Sequence, residues 1–270
     1  MFVLMTESLP WGGNCFGETM TPAQPKIGVE LIHGDCMQML AAMPAASVDA
    51  IVTDPPYAQT CLAWDRWVDG WPNSAARVLK PGGSMWVFGT LRMFMDRRDE
   101  FAAWQMAQDI VWEKHNGSNF HADRFRRVHE QAVHFYRGAW GNVYKGKVVT
   151  MNATARTVRR KKRPTHMGHI DAGSYESHDG GPKIMRSVIY ARSQHGVAIH
   201  PTQKPEAIVE PLVLNACPPG GVVLDLFAGS GTVGYVACRL GRSAILIEAD
   251  HGHFEAMQGR FSSDLFGLAM

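Results

Sequence analysis

The chain has 270 residues, 46% hydrophobic and 19% charged, with a formal net charge of +2. That length suits one α/β domain with a smaller insertion, and no apolar run approaches a membrane span, so a bilayer protein is not expected. Met1-Phe2-Val3-Leu4-Met5 is too short for the hydrophobic part of a secretory signal, and five cysteines without CxxC spacing point to free thiols in a reducing cytoplasm. The twelve histidines form no ligand pattern, and His251 and His253 read as a solvated helix start, so no metal is expected.

Residues 1–25 mix Pro, Gly and polar side chains without a period and read as an irregular arm. Residues 26–137 begin with the strand Val29–His33, a helix opened by Gly34-Asp35-Cys36 and running to about Met43, and the strand Val48–Thr53. A helix over Pro72–Leu79 is expected to stop at Lys80-Pro81-Gly82-Gly83. The strand Met85–Phe88, one helix over Arg92–Trp104, and the strands Ile110–Glu113 and Gln131–Tyr136 follow. Over 138–196 the alternation fails and Gly, His, Ser and basic residues dominate, a stretch too long for a structureless loop inside a compact domain. Regularity returns in 197–270 with a helix over Pro205–Ala216, the strand Val222–Leu226, a helix over Thr232–Leu240, the strand Ala244–Ile247 and a final helix. Alternating strands and helices imply a mainly parallel, doubly wound sheet.

The charge is unevenly spread. From Arg137 to Arg163 there are nine Lys or Arg residues and no acid, and taking those nine from +2 leaves −7 for the remainder. A basic segment on an acidic body suits a polyanion, the alternative being a solvated loop.

Asp54-Pro55-Pro56-Tyr57 follows the Val48–Thr53 strand. An acid, two rigid prolines and an aromatic ring then stand at a strand's carboxyl end, where open α/β sheets bind ligands. Such a set fits a flat base with an exocyclic amine, whose lone pair is delocalised into the ring. Asp54 and the Pro55 carbonyl can accept the amine hydrogens while Tyr57 stacks on the ring. Without N–H groups, Pro55 and Pro56 leave mainly acceptors in this stretch.

A second site is written in Asp225-Leu226-Phe227-Ala228-Gly229-Ser230-Gly231-Thr232, a strand end, a Gly-rich turn and a helix start, with Glu248 ending the next strand 23 residues after Asp225. A nucleotide-type cofactor is expected there, its ribose on the acid. Only 22 residues follow Glu248, too few for the second half of a dinucleotide site. The carboxylate of Asp225 also suits an ammonium better than a pyrophosphate, and S-adenosylmethionine carries an ammonium and no phosphate. The missing strands then come from upstream, as in a circular permutation.

The ordered blocks resemble the β-class of DNA amino-methyltransferases, in which the catalytic half precedes the cofactor half. The resemblance runs from about Val29 to Phe261. It is carried by Gly34-Asp35-Cys36, Met43-Pro44, Ser47-Val48-Asp49 and Thr53 through Tyr57, then by Arg77 through Ser84. Trp112-x-Lys114-x-Asn116, His129-Glu130, His200 through Pro205 and the Gly-rich loop complete it. It implies a circularly permuted, Rossmann-like S-adenosylmethionine-dependent methyltransferase sheet with 138–196 as an inserted target-recognition region. Asp54, Pro55, Pro56 and Tyr57 would be catalytic. Asp225, Phe227, Ala228, Gly229, Ser230, Gly231 and Thr232 would cradle the methionine part of the cofactor, with Glu248 on the ribose and Asp35 and Cys36 at the adenine edge. The His200 block, with Thr202 and Lys204, would hold the carboxylate. Leu226 departs from the family's frequent proline, which affects turn stiffness. Simpler roles compete at three positions: a helix cap for Asp35, a small buried hydrophobe for Cys36 and a solvated surface lysine for Lys204.

The expected activity is methyl transfer to the 6-amino group of adenine in double-stranded DNA, by direct in-line displacement after base flipping. Cysteine is not required as a nucleophile, and Cys217-Pro218-Pro219 reads as a helix-ending turn. Adenine is favoured because family members acting on cytosine more often carry Ser in place of Asp54; the 4-amino group of cytosine is the alternative. Arg156, Arg159, Arg160, Lys161, Lys162 and Arg163 are the expected DNA contacts. An RNA methyltransferase and a non-catalytic DNA-binding module are the competing classes, the latter disfavoured by the intact Asp54, Gly229, Gly231 and Glu248. The resemblance further implies a homodimer, and no residue identifies a cognate restriction enzyme.

Overall fold

The computed structural model describes residues 27–118, 122–160, 172–193 and 202–263. β1 (Val29–His33) leads into α1 (Cys36–Ala42), capped by Asp35, whose carboxylate accepts from the Met37 and Gln38 amides at 3.0 Å each. β2 (Val48–Thr53), β-branched and almost wholly buried, is followed by α2 (Trp71–Val78), which starts after Gly70 at φ 79° with Pro72 in its first turn. β3 (Leu79–Gly89) is longer than the sequence suggests. Its register with β2 passes from Val48↔Leu79 to Ala50↔Ser84, so Lys80-Pro81-Gly82-Gly83, expected as a helix stop, forms an excursion within the strand.

The single helix expected over Arg92–Trp104 does not form. The chain makes α3 (Leu91–Asp96) and then a 3₁₀ turn over Arg98–Phe101, broken at Arg97 with φ −109°. Phe101 and Trp104 are the anchors: Phe101 meets Trp71 edge to face at 6.0 Å, and the Trp104 indole donates to the Pro72 carbonyl at 3.2 Å. Tight turning brings both toward α2, which a continuous helix would not.

β4 (Gln105–Ser118) and β5 (Arg127–Tyr136) form a long antiparallel hairpin, each extending past the apolar runs that announce them. Within the expected insertion, β6 (Val149–Thr150) pairs with β9 (Lys183–Ile184), and β7 (Arg156–Arg160) pairs with β8 (Gly173–Ser177). β10 (Val188–Tyr190) leaves the insertion and joins β4 as a parallel edge strand. The stem of the insertion docks on the body through the Tyr144 amide to Gly82 O at 2.9 Å and the Gly146 amide to Asn215 O at 2.8 Å. α4 (Glu206–Ala216), β11 (Val222–Asp225), α5 (Thr232–Arg239), β12 (Ser243–Glu248) and α6 (His251–Ser263) complete the chain.

The main sheet has the order β1-β12-β11-β2-β3-β5-β4-β10, parallel except where β5 meets β3 and β4. The expected permutation is therefore visible: β11 and β12, late in the chain, lie between β1 and β2. From β11 the chain crosses by α5 to β12, and from β2 by α2 to β3, so the topological switch point falls between β11 and β2. Both faces are covered. Val52, Trp86 and Phe88 pack with Ile208, Leu212, Val236 and Met257 on one side, while Ile51, Met85 and Val87 pack with Leu40, Trp71 and Phe101 on the other. Among the described residues, no helix is long and apolar enough to cross a membrane.

Candidate active site

The switch point is closed by one side chain. The Thr53 hydroxyl, fully buried at the end of β2, donates to Asp225 Oδ1 at 2.7 Å and accepts from the Leu226 amide at 3.2 Å. Asp225 also accepts from the Phe227 amide at 3.2 Å. Burial drives the Asp225 carboxyl up to about 7; the Thr53 and Phe227 hydrogen bonds oppose the rise, and Asp54 and Glu248 add to it.

Directly after Thr53, the tetrad is held by its neighbours. Tyr57 donates its hydroxyl hydrogen to Asp54 Oδ1 at 2.5 Å, and the Lys204 ammonium donates to Asp54 Oδ2. Lys204 Nζ also lies 3.5 Å from Glu130 Oε2, while Lys114 holds Glu130 Oε1. Burial raises the Asp54 carboxyl, the Lys204 ammonium offsets part of that, and Glu130 adds to it. Glu130 is pushed up by burial but held below the usual carboxylate range by Lys204 and Lys114; burial and then the Asp54 charge keep the Tyr57 hydroxyl protonated. The turn beyond Tyr57 wraps Asp65, which accepts from the amides of Ala58, Gln59 and Thr60 at 2.8, 2.9 and 2.7 Å. That cradle fixes Ala58 in a left-handed conformation at φ 55°.

On the other side, Glu248 Oε2 accepts from the Gly229 amide at 2.8 Å and Oε1 from the Asp250 amide at 2.9 Å. Each carboxylate oxygen keeps a lone pair for a further donor such as a ribose hydroxyl. Both halves open into one cavity of about 540 Å³. Its walls include Asp54, Pro55, Pro56 and Tyr57 on one side, and Asp35, Cys36, Asp225, Phe227, Ala228, Gly229, Ser230, Thr232 and Glu248 on the other, with Thr202 and Lys204 between them. An ionisable carboxylate, backbone of a Gly-rich turn and a second acid at the next strand end form a donor and acceptor set that fits an ammonium and a vicinal diol.

Several residues stand elsewhere than the sequence suggests. Lys204, expected at a cofactor carboxylate or on the surface, is 7% exposed and committed to Asp54 and Glu130. Gly231 does not line the cavity: it is the N-cap of α5 at φ 71°, and a Cβ there would stand 2.7 Å from Phe261 and 2.9 Å from Met257. Asp35 lines the cavity and is also the helix cap. His200, Lys161, Lys162 and Arg163 lie outside the described residues, as does the side chain of Arg160. Arg156 and Arg159 lie on β7, which pairs antiparallel with β8, and Arg156 Nη2 is 3.2 Å from the Tyr175 hydroxyl. Lys114 and Glu130 carry no site role in the sequence reading; both stand in the blocks that carry the resemblance, but nothing in those blocks marks them as an ion pair beside Asp54. Among the described residues no cluster of His, Cys, Asp or Glu could hold a metal.

Residues 48–259 match a protein family described as DNA methylase. The type II methyltransferase M.HinfI of Haemophilus influenzae is 27% identical over 262 residues, covering 85% of this chain and 67% of the relative. Among solved structures, M1.HpyAVI in complex with SAM aligns at TM-score 0.58 and 23% identity, over 86% of this chain and 99% of that one. The PvuII DNA methyltransferase, named cytosine-N4-specific, aligns at 0.60 and 18% over 91% of each chain. A DNA modification methylase of Thermus thermophilus, complexed with S-adenosyl-L-methionine, aligns at 0.56 and 19% over 89% and 97%. At these identities the solved structures establish the shared fold.

Proposed function

The chain belongs to the DNA methylase family, and from that premise we propose that it methylates the 6-amino group of adenine in double-stranded DNA with S-adenosylmethionine as donor. The observation that carries the reading is the pair of carboxylates Asp54 and Asp225, set at adjoining strand ends and facing one cavity. The bound ligands named for M1.HpyAVI and the Thermus protein support the choice of donor. In this reading Asp225 holds the cofactor ammonium, Glu248 the ribose, and Asp35 with Cys36 the adenine edge. When bound, the cofactor supplies a methyl group on a positively charged sulfur.

The protein's own part is positioning and electrostatics. Asp54 accepts one hydrogen of the target amine and the Pro55 carbonyl the other, which draws the nitrogen lone pair out of the ring. Tyr57 offers its face to the flipped base, a contact worth about 1–3 kcal/mol in comparable sites. Transfer leaves the nitrogen with one proton too many, and Asp54 is the nearest base to take it. Residues 26–137 then serve as the catalytic half and 197–270 as the cofactor half. Residues 138–196, through Arg156, Arg159 and the basic run after them, serve as the target-recognition region on a homodimer.

The second reading is the 4-amino group of cytosine, which poses the same chemical problem and is supported by the fold shared with the PvuII enzyme. The test is transfer of a labelled methyl group to duplex DNA, RNA and protein offered in parallel. Label in duplex DNA alone is the expected result, and label in RNA or protein alone would remove the proposal.

A further inference from the structure

Resting on the reading of Asp54 as acceptor of the target amine, we propose that Lys204 is a positioning residue with two seats. One seat is Asp54 and the other Glu130, and the ammonium moves to Glu130 when the amine arrives. The second seat is already built. Glu130 Oε2 lies 3.5 Å from Lys204 Nζ, is buried, and receives no hydrogen bond among the described residues. Lys114 fixes the sister oxygen, so Glu130 stays in place while offering one open acceptor. Among the described residues Asp54 and Glu130 are the ion-pair partners of Lys204; its ammonium otherwise lies 3.5 Å from the Thr202 carbonyl oxygen, 5.3 Å from the Phe88 ring centroid and 5.9 Å from that of Tyr57. An ammonium displaced from Asp54 without another anion would be an unpaired buried charge, which is strongly destabilising.

The two seats explain how one carboxylate serves two states. In the base-free state both Asp54 oxygens are engaged, Oδ1 by Tyr57 and Oδ2 by Lys204. Each Asp54 oxygen keeps a lone pair, but an amine hydrogen is a weaker donor than an ammonium and gains less from a carboxylate whose charge Lys204 already neutralises. Transfer of Lys204 to Glu130 frees Oδ2, restores the full acceptor strength of Asp54, and keeps the charge buried and paired. The groups facing Asp54 are Tyr57 after β2, Lys204 before α4, Glu130 on β5 with Lys114 of β4 and Arg127 beside it, and Asp225 on β11.

The test begins with base-free protein and needs no activity. The Asp54 carboxyl resonance is followed by carbon-13 NMR and identified by its loss in Asp54→Asn. Lys204→Met removes the neutralising charge and should raise the Asp54 midpoint by about one pH unit or more. Glu130→Gln removes a like charge and should lower it. Lys204→Arg keeps the charge, should leave the midpoint near wild type, and guards against a misfolded methionine variant. The pH dependence of single-turnover methylation of duplex DNA comes next. Its acid limb should rise in Lys204→Met, and Glu130→Gln should lose about tenfold or more in rate, because the second seat has lost its charge. Midpoints that stay still, or that move in the same direction in both variants, overturn the proposal. A midpoint that moves without the acid limb following overturns it as well. If the midpoints move as expected but wild-type protein transfers no methyl group to DNA, the reading of the site fails and takes the two-seat role with it.

Discussion

The Thr53 hydroxyl donates to Asp225 across 2.7 Å, joining the end of β2 to the end of β11 over 172 positions of sequence. Because the same hydroxyl accepts from the Leu226 amide, a single side chain sets the angle at which the Gly-rich loop leaves its strand. Asp54 follows Thr53 directly, so the group proposed to receive the base and the group proposed to hold the cofactor are fixed relative to one another by the sheet.

The elevated carboxyl of Asp225 makes cofactor binding pH-dependent. The ionised form is the one that holds an ammonium, and in the free protein this carboxyl is driven up to about 7 by burial. Affinity should therefore be full above pH 7 and fall toward tenfold per unit below it, with a proton released on binding. The stability of the cofactor-free protein moves in the opposite sense. The folded state keeps a proton that the unfolded chain loses near 3.8, so this group's contribution is lost as pH rises toward 7. Titration calorimetry in buffers of different ionisation enthalpy reads both affinity and proton.

Asp54→Ala should abolish methyl transfer, by about 10³-fold or more in turnover, while cofactor affinity stays within a few-fold of wild type. The hydrogen bonds of Asp54 go to Tyr57 and Lys204, whereas the Gly-rich loop is held by Thr53 and Glu248. Substantial turnover by the variant would refute its role.

Gly231→Leu should act on the fold first and on the cofactor through it. The backbone sits at φ 71°, and an added Cβ would meet Phe261 at 2.7 Å and Met257 at 2.9 Å, so any side chain strains the turn and pushes α6 away. The expected cost of about 3 kcal/mol lowers the melting temperature of the cofactor-free protein by about 5 °C or more. An unchanged melting curve together with lost cofactor binding would return Gly231 to the cavity wall.

Much of this is legible because the strands are short runs rich in apolar residues and the tetrad and Gly-rich loop are local in sequence. Val29–His33 and Val48–Thr53 needed no tertiary information. The break at Arg97 did, since it depends on Phe101 and Trp104 finding Trp71 and Pro72. The Lys204–Glu130–Lys114 chain was also invisible: its members come from three segments and meet at Asp54 only because β4 and β5 fold back as a hairpin toward the switch point. The motif alone points Gly231 at the cofactor, whereas its neighbours come from a helix twenty-six or more residues later.

The basic segment should contribute charge more than shape. Neutralising Arg156 and Arg159 together with Arg160, Lys161, Lys162 and Arg163 should weaken duplex binding and flatten its salt dependence, each lost phosphate contact removing roughly 0.9 from the logarithmic slope. Cofactor affinity should not move. An unaltered slope in fluorescence-anisotropy titrations would make the segment a solvated loop.

Mass spectrometry of nucleosides from duplex DNA treated with the purified protein and S-adenosylmethionine identifies the methylated base. The expected product is 6-methyladenine, confined to a short defined sequence and lost in Tyr57→Ala, which should retain cofactor binding. If 4-methylcytosine alone appeared, the base assignment would be contradicted while the amine chemistry stood; if neither base were modified while RNA or protein gained the methyl group, the substrate class would be contradicted.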